Sequence, residues 1–238
     1  MGDIGACLWA INERLGAEHR AEADLFAAVR SMLTAEIGEN QAHDDGFPVK
    51  PQRILHDLRA EMGDEDIVIS DVGAHKMWAA RQYPAFAPNT CIISNGFCSM
   101  AMSLPGSIAA KLTHPDRRVV ALQGDGGFLM NVQELATAVQ YGVAAVQLVW
   151  EDSAYGLIEW KQMAGYGRTS HTSFVNPDLV ALGRAFGAHA RRVGSAAELR
   201  PALAEAFAAE DLPSVIVVPV DYSENMLLTR RLGEMLAR

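Results

Sequence analysis

Cysteine is scarce in this chain. Cys7, Cys91 and Cys98 are the only three in 238 residues, and they form no CxxC pair and no even set. That excludes a disulfide framework and fits a reducing cytosol. A basic excess is missing as well: 20 Lys and Arg stand against 29 Asp and Glu, a net charge of −9. Neither nucleic acid nor an anionic membrane is expected as the main partner. Long apolar runs are also absent. The longest candidate, Met100 to Leu112, is interrupted by Pro105 and Gly106 and is too short to span a bilayer. The acidic start Met1-Gly2-Asp3 does not resemble a signal peptide. No internal repeat or low-complexity tract occurs, and no GxGxxG or GxxxxGK[ST] follows a strand, which disfavours a dinucleotide or P-loop domain. The expectation is a cytoplasmic protein, and with half its residues hydrophobic it can build a sizeable core.

The front of the chain is helical. Ile4, Leu8, Ile11 and Leu15 fall on one helical face within residues 3–15, and a second helix is expected from Ala21 to Ile37. The polar stretch Gly38 to Lys50 reads as a linker. Beyond Pro51 helix and strand alternate. Ile54, Leu55, Leu58 and Met62 mark a helix, and short apolar runs near residues 67, 92, 119, 146, 190 and 216 mark six strands. That alternation predicts an α/β fold, a doubly wound, mostly parallel six-stranded sheet with helices on both faces. Asn176-Pro177 reads as the start of one helix, stopped by Gly187, and Ser195 to Glu198 as a capping box opening another.

The centre of the chain runs from Val119 to Trp160. One β-run ends on the turn Gly124-Asp125-Gly126-Gly127, a helix is expected over Val132 to Tyr141, and a second β-run ends on Glu151-Asp152-Ser153. Asp125 and Asp152 lie 27 positions apart. Parallel strands joined by a crossover helix end on the same edge of the sheet, where open α/β sheets bind ligands. Two carboxylates meeting there suit magnesium, which commonly takes one or two carboxylates together with substrate phosphates. Glycines beside them let backbone N–H groups approach a phosphate.

These motifs resemble the thiamine diphosphate enzymes, and among them the acetolactate (acetohydroxyacid) synthase branch. GDGGFLMNVQELATAVQYG, EDSAYGLIEWKQ, SDVGAHKMWAARQY, NGFCSMAMSLPGSIAAK and the tail VPVDYSENM follow that branch's order over residues 48–226. The resemblance implies a domain that binds thiamine diphosphate through Mg2+, with Asp125, Asp152 and the carbonyl of Ala154 on the metal. It places Gly73, Ala74, His75, Gly124, Gly126, Gly127, Tyr155 and Gly156 against the cofactor. Met100 matches the apolar wedge that keeps the cofactor bent. Cys98 matches a position, often glycine, whose carbonyl accepts from the cofactor's amino group, a role cysteine can fill if the backbone is ordinary there. Trp160 matches a tryptophan of the second-substrate pocket. Each position also has a plain structural reading: Asp152 as a helix cap, His75 as a surface or interface histidine, Met100 and Trp160 as core.

Departures from the family pattern stand out. Ala74 replaces a polar residue that helps to hold diphosphate, and Glu151 adds negative charge beside it unless it meets solvent or an arginine. The glutamate that activates the cofactor belongs to a separate pyrimidine-binding domain, and none here stands in a matching context, so no catalytic residue is expected within this chain. The expected organisation is therefore residues 1–47 as a helical remnant of a preceding middle domain plus linker, and 48–238 as the C-terminal cofactor-binding domain. The implied substrates are pyruvate and a second 2-keto acid, and the implied partner is a pyrimidine-binding domain or subunit within a homo- or hetero-oligomer. Two alternatives stay open: another thiamine diphosphate-dependent 2-keto acid decarboxylase or carboligase, and a non-catalytic cofactor-binding fragment.

Overall fold

In the computed structural model, residues 3–15, 27, 31, 35 and 45–228 are described. The chain divides into two compact units, Met1–Asn40 and Gln41–Arg238. In the first, the amphipathic pattern forms the helix Ile4–Leu15, and the side chains of Ile4, Leu8, Ile11 and Leu15 are all exposed. The helix expected over 21–37 lies outside the described residues, save for residues 27, 31 and 35.

In the second unit the six expected strands form one sheet: β1 Ile67–Ser70, β2 Cys91–Ile93, β3 Val119–Gly124, β4 Val146–Glu151, β5 His189–Arg192 and β6 Ser214–Pro219. Their order is β2-β1-β3-β4-β6-β5, and every pairing is parallel. The chain steps outward from β1 to β2 and returns to β3 on the other side of β1, so a topological switch point falls between β1 and β3. A ligand crevice is expected at the carboxyl ends of strands at such a point.

Because side chains alternate across a strand, the sheet feeds two separate cores. Val68, Val120, Leu122, Leu148, Trp150, Ile216 and Val218 pack on one face with the helices Pro51–Glu61, Ala74–Gln82 and Leu199–Ala208. Ile67, Ile69, Val119, Val149, Val215 and Val217 pack on the other with Leu104, Phe128, Leu135 and Leu179. Each fully buried side chain of this size contributes about 1.5–3 kcal/mol. A polar chain crosses the second layer: Ser103 Oγ donates to Gln123 Oε1, Gln123 Nε2 to Gln147 Oε1, and Gln147 Nε2 to Ser107 Oγ, at 2.9–3.1 Å. It satisfies every buried amide it uses and pins the helix Ser103–Thr113 to β3 and β4.

Three local expectations are corrected. The Gly124–Gly127 stretch is not a free turn: Gly124 ends β3, and Asp125, Gly126 and Gly127 form the first turn of the helix Asp125–Asn131. Asn176 is not a helix cap. Asp178 caps the helix Leu179–Ala185, its side chain accepting from the N–H groups of Val180 and Ala181. Ser195 makes no capping bond; Glu198 reaches past it to the Gly194 N–H at 2.9 Å.

Candidate functional site

The register aligns the strand ends. Gly124 of β3 lies opposite Trp150 of β4, and Glu151 of β4 opposite Pro219 of β6. The segments that follow therefore leave the sheet side by side, and they close a cleft with the loop after β1. Its walls include Gly73, Ala74, His75, Met100, Gly124, Asp125, Gly126, Gly127, Asp152, Ala154, Tyr155 and Gly156, together with Tyr222. All the expected cofactor and metal residues thus line this one cleft, except Cys98. Two larger cavities, about 520 and 620 Å³, lie elsewhere and contain none of these residues. Volume alone does not mark a site, and the smaller cleft is where the buried ionisable groups converge.

Asp125 is buried, and its carboxylate is tightly held. Oδ1 accepts from the Gly126 N–H at 2.8 Å, and Oδ2 from the N–H groups of Ser153 at 2.7 Å and Asp152 at 3.2 Å, and from Asn176 Nδ2 at 2.7 Å. Burial raises its pKa, opposed by these donors. The Asp152 carboxyl is pushed up to about 7, first by burial and then by the charge of Asp125. None of the ion pairs among the described residues neutralises either group. A buried carboxylate that raises the proton affinity of a half-buried one beside it makes an oxygen-rich, negatively charged corner, and magnesium fits this donor set.

The third expected ligand is the backbone carbonyl of Ala154, on the wall of the same cleft. The 153–155 segment pairs antiparallel with 172–174, through Tyr155 N to Thr172 O and Phe174 N to Ser153 O. Both bonds belong to the flanking residues, so the Ala154 carbonyl takes no part in the ladder.

In the same cleft His75 is 2 % exposed and its Nε2 has no partner, an orphan that a bound ligand would satisfy. Burial lowers its pKa to about 4, the Asp71 carbonyl opposing and Lys76 assisting, so the imidazole is neutral at pH 7. Close approach explains two glycines. A Cβ on Gly73 would lie 2.4 Å from the His75 ring, and one on Gly127 would lie 2.3 Å from Asp71 Oδ2. Asp71 is itself fully buried, and its carboxylate accepts from the N–H groups of Ala101 at 2.8 Å and Met102 at 3.3 Å. One carboxylate thereby joins the Met100 loop to the first turn of the glycine helix.

Cys98 and Trp160 stand apart from the cleft. Cys98 is exposed, with Lys76 Nζ at 3.5 Å from its sulfur, and its φ of +52° lies in the left-handed region that favours glycine. The ordinary backbone that would make cysteine an easy replacement is therefore not what the structure has. Trp160 is 8 % exposed and packs within the core layer that holds Trp78 and Trp150. Glu151 meets the arginine its position demands: Arg192, from the edge strand β5, grips both carboxylate oxygens.

Asn176, Asp71, Tyr222 and Arg192 escaped the sequence reading as site residues. Tyr222 stacks near Trp150, ring centroids 6.1 Å apart, and burial together with the charges of Asp152 and Asp125 pushes its hydroxyl pKa well up. A signal existed only for Asp71 and Tyr222, which lie inside the motifs SDVGAH and VPVDYSENM.

The comparisons bear on the fold and the family. The family described as "Thiamine pyrophosphate enzyme, C-terminal TPP binding domain" matches residues 71–218. The acetolactate synthase of Bacillus subtilis (strain 168) is 38% identical over 218 residues, covering 89% of this chain and 38% of that protein. The catabolic acetolactate synthase of Raoultella terrigena is 33% identical over 237 residues, covering 98% of this chain and 42% of that protein. The chain thus spans about two-fifths of the length of these relatives. Among solved structures, the thiamine diphosphate-dependent 4-hydroxybenzoylformate decarboxylase of Rhodococcus jostii RHA1 shares the fold, with a TM-score of 0.71 at 23% identity over 77% of this chain and 35% of that one. With the matched region enclosing almost the whole cleft, the chain belongs to the thiamine pyrophosphate enzymes, as a member of their C-terminal cofactor-binding domain family.

Proposed function

We propose that this chain is the diphosphate- and Mg2+-binding domain of an acetolactate synthase-like enzyme, one that decarboxylates pyruvate and joins the product to a second 2-keto acid. The observation that carries the proposal is the meeting of two uncompensated carboxylates, Asp125 and Asp152, with the orphaned imidazole of His75 in one cleft. Asp125, Asp152 and the Ala154 carbonyl would hold the metal. His75 and the N–H groups at the start of the helix Asp125–Asn131 would hold the diphosphate. When bound, thiamine diphosphate supplies the carbon chemistry, and the protein binds and orients it. Met100, on the cleft wall, is positioned by the Asp71 bonds to the two residues that follow it and would support the rings. Trp160 is proposed as a residue of the acceptor pocket.

No glutamate lines the cleft among the described residues. A pyrimidine-binding domain or subunit would bring that group and cover the cleft from water. Tyr155 and Ile158, 39% and 52% exposed on the cleft rim, offer apolar surface for it. Acetolactate synthases among the relatives support this reading, as does the helix Ile4–Leu15 ahead of the cofactor domain.

Calorimetry tests it. The 238-residue chain should bind thiamine diphosphate only with Mg2+, Asp125→Ala should abolish that binding without unfolding, and Asp152→Asn should retain it, since an amide oxygen still coordinates. Equal binding by wild type and Asp125→Ala would refute the assignment.

A further inference from the structure

We infer that Asn176 is a positioning residue for the metal site, holding the Asp125 carboxylate in the one orientation from which it can serve a cation. The inference rests on the metal-site reading above. Asn176 Nδ2 donates to Asp125 Oδ2 at 2.7 Å and to Ser153 Oγ at 3.2 Å, so one amide joins the two acidic loops. Its Oδ1 is buried and without a partner. The Asp125 contact sets the amide orientation, because flipping it would press a carbonyl oxygen against the carboxylate and lose that bond.

The loop that carries Asn176 is rigid at both ends. On one side, residues 172–174 pair with 153–155. On the other, Pro177 restrains the backbone of the residue before it, and Asp178 caps the helix Leu179–Ala185. Asn176 therefore reaches Asp125, 51 positions earlier in the chain, from a fixed base. Among the four donors to Asp125 it is the only side chain; the other three are backbone N–H groups of residues 126, 152 and 153. A side-chain donor can be removed without altering the backbone, which makes the inference testable.

Partners that orient a metal ligand typically account for 10–100-fold in metal affinity. Mg2+ is titrated calorimetrically into the full 238-residue chain at saturating thiamine diphosphate, for wild type, Asn176→Ala, Asn176→Asp and Asp125→Ala, with circular dichroism as a check on folding. Asn176→Ala should weaken Mg2+ about 10–100-fold, and higher Mg2+ should restore saturation. Asn176→Asp should be worse than Asn176→Ala, because it sets a carboxylate against Asp125. A role in packing alone predicts the opposite order, since aspartate keeps the volume of asparagine. The inference is overturned if Asn176→Ala matches wild type while Asp125→Ala abolishes binding, or if Asn176→Asp is the milder variant. If Asn176→Ala fails to fold, the isosteric Asn176→Asp decides: wild-type Mg2+ affinity there overturns the inference. Absence of Mg2+-dependent binding in wild type would bring down the metal-site reading itself, and the inference with it.

Discussion

Gly127→Ala should be among the costliest single-methyl additions in this domain. The new Cβ would lie 2.3 Å from Asp71 Oδ2 and 3.4 Å from its Cγ. The carboxylate cannot swing aside freely, since it is fully buried and receives the N–H groups of Ala101 and Met102. Overpacking typically costs about 1–3 kcal/mol. Displacing the carboxylate also strains two bonds to a charged acceptor, each worth about 1.5–3 kcal/mol. Alanine returns up to about 1 kcal/mol through helix propensity. The net expectation is a loss of about 2–5 kcal/mol, or roughly 5–15 °C in Tm for a domain of this size. Two further substitutions of the same kind calibrate it. In Gly126→Ala the Cβ meets Tyr155 Cε1 at 3.0 Å, a ring on the cleft rim that can move, so the loss should be smaller. In Gly165→Ala nothing lies within 4 Å, and helix propensity should make the change neutral or stabilising by about 0.5 kcal/mol. Urea unfolding followed by circular dichroism measures all three, and Asp71→Ala should reduce the cost of Gly127→Ala by removing the clash. A Gly127→Ala variant as stable as Gly126→Ala, or a cost unchanged in the Asp71→Ala background, would refute the close approach.

Three further outcomes are expected. His75 has its folded pKa lowered to about 4 against about 6.5 unfolded, so only the unfolded chain takes up a proton between those values. Relative to His75→Gln, the wild type should lose about 3 kcal/mol of stability as the pH falls from 6.5 to 4; parallel stability–pH curves would contradict the buried neutral imidazole. Arg192→Ala breaks an ion pair whose arginine is 41% exposed, so stability should fall by no more than about 1 kcal/mol. Thiamine diphosphate binding should weaken in that variant, and Glu151→Gln in the same background should restore it; an unchanged affinity would show that Glu151 does not act on the diphosphate. The isolated chain should form no acetolactate from pyruvate in a colorimetric assay, and adding a pyrimidine domain that bears the glutamate should restore turnover. Robust formation by the chain alone would place the acid within these residues.

Much of the fold was legible because its signals are local. β-branched runs such as Ile67-Val68-Ile69 and Val215–Val218 have the continuous apolar character of strands covered on both faces, as in parallel sheets, and their spacing leaves room for crossover helices. The misreadings have a physical cause as well. Asn176 and Asp178 are two capping residues two positions apart, and sequence preference does not choose between them. The choice was made by Asp125, a non-local acceptor that claimed the Asn176 amide and left the cap to Asp178. Ser195 lost its capping role in a similar way, when Glu198 turned to the Gly194 N–H.

The sequence by itself determined the alternation of elements, the pair of acidic strand ends and the family of the cofactor. Each depends on residues adjacent in the chain or on a motif carried intact. Only the tertiary structure decided which partners complete the site. Asp71 lies under the Met100 loop, Asn176 on Asp125, Arg192 on Glu151 and Tyr222 beside Asp152, across separations of 30 to 70 residues. Those pairings follow from strand order, since β1, β3, β4, β6 and β5 lie side by side in the sheet in that sequence though far apart in the chain. A buried carboxylate then takes whichever donor that order brings within reach, because leaving it unpaired would cost more than any local preference could return.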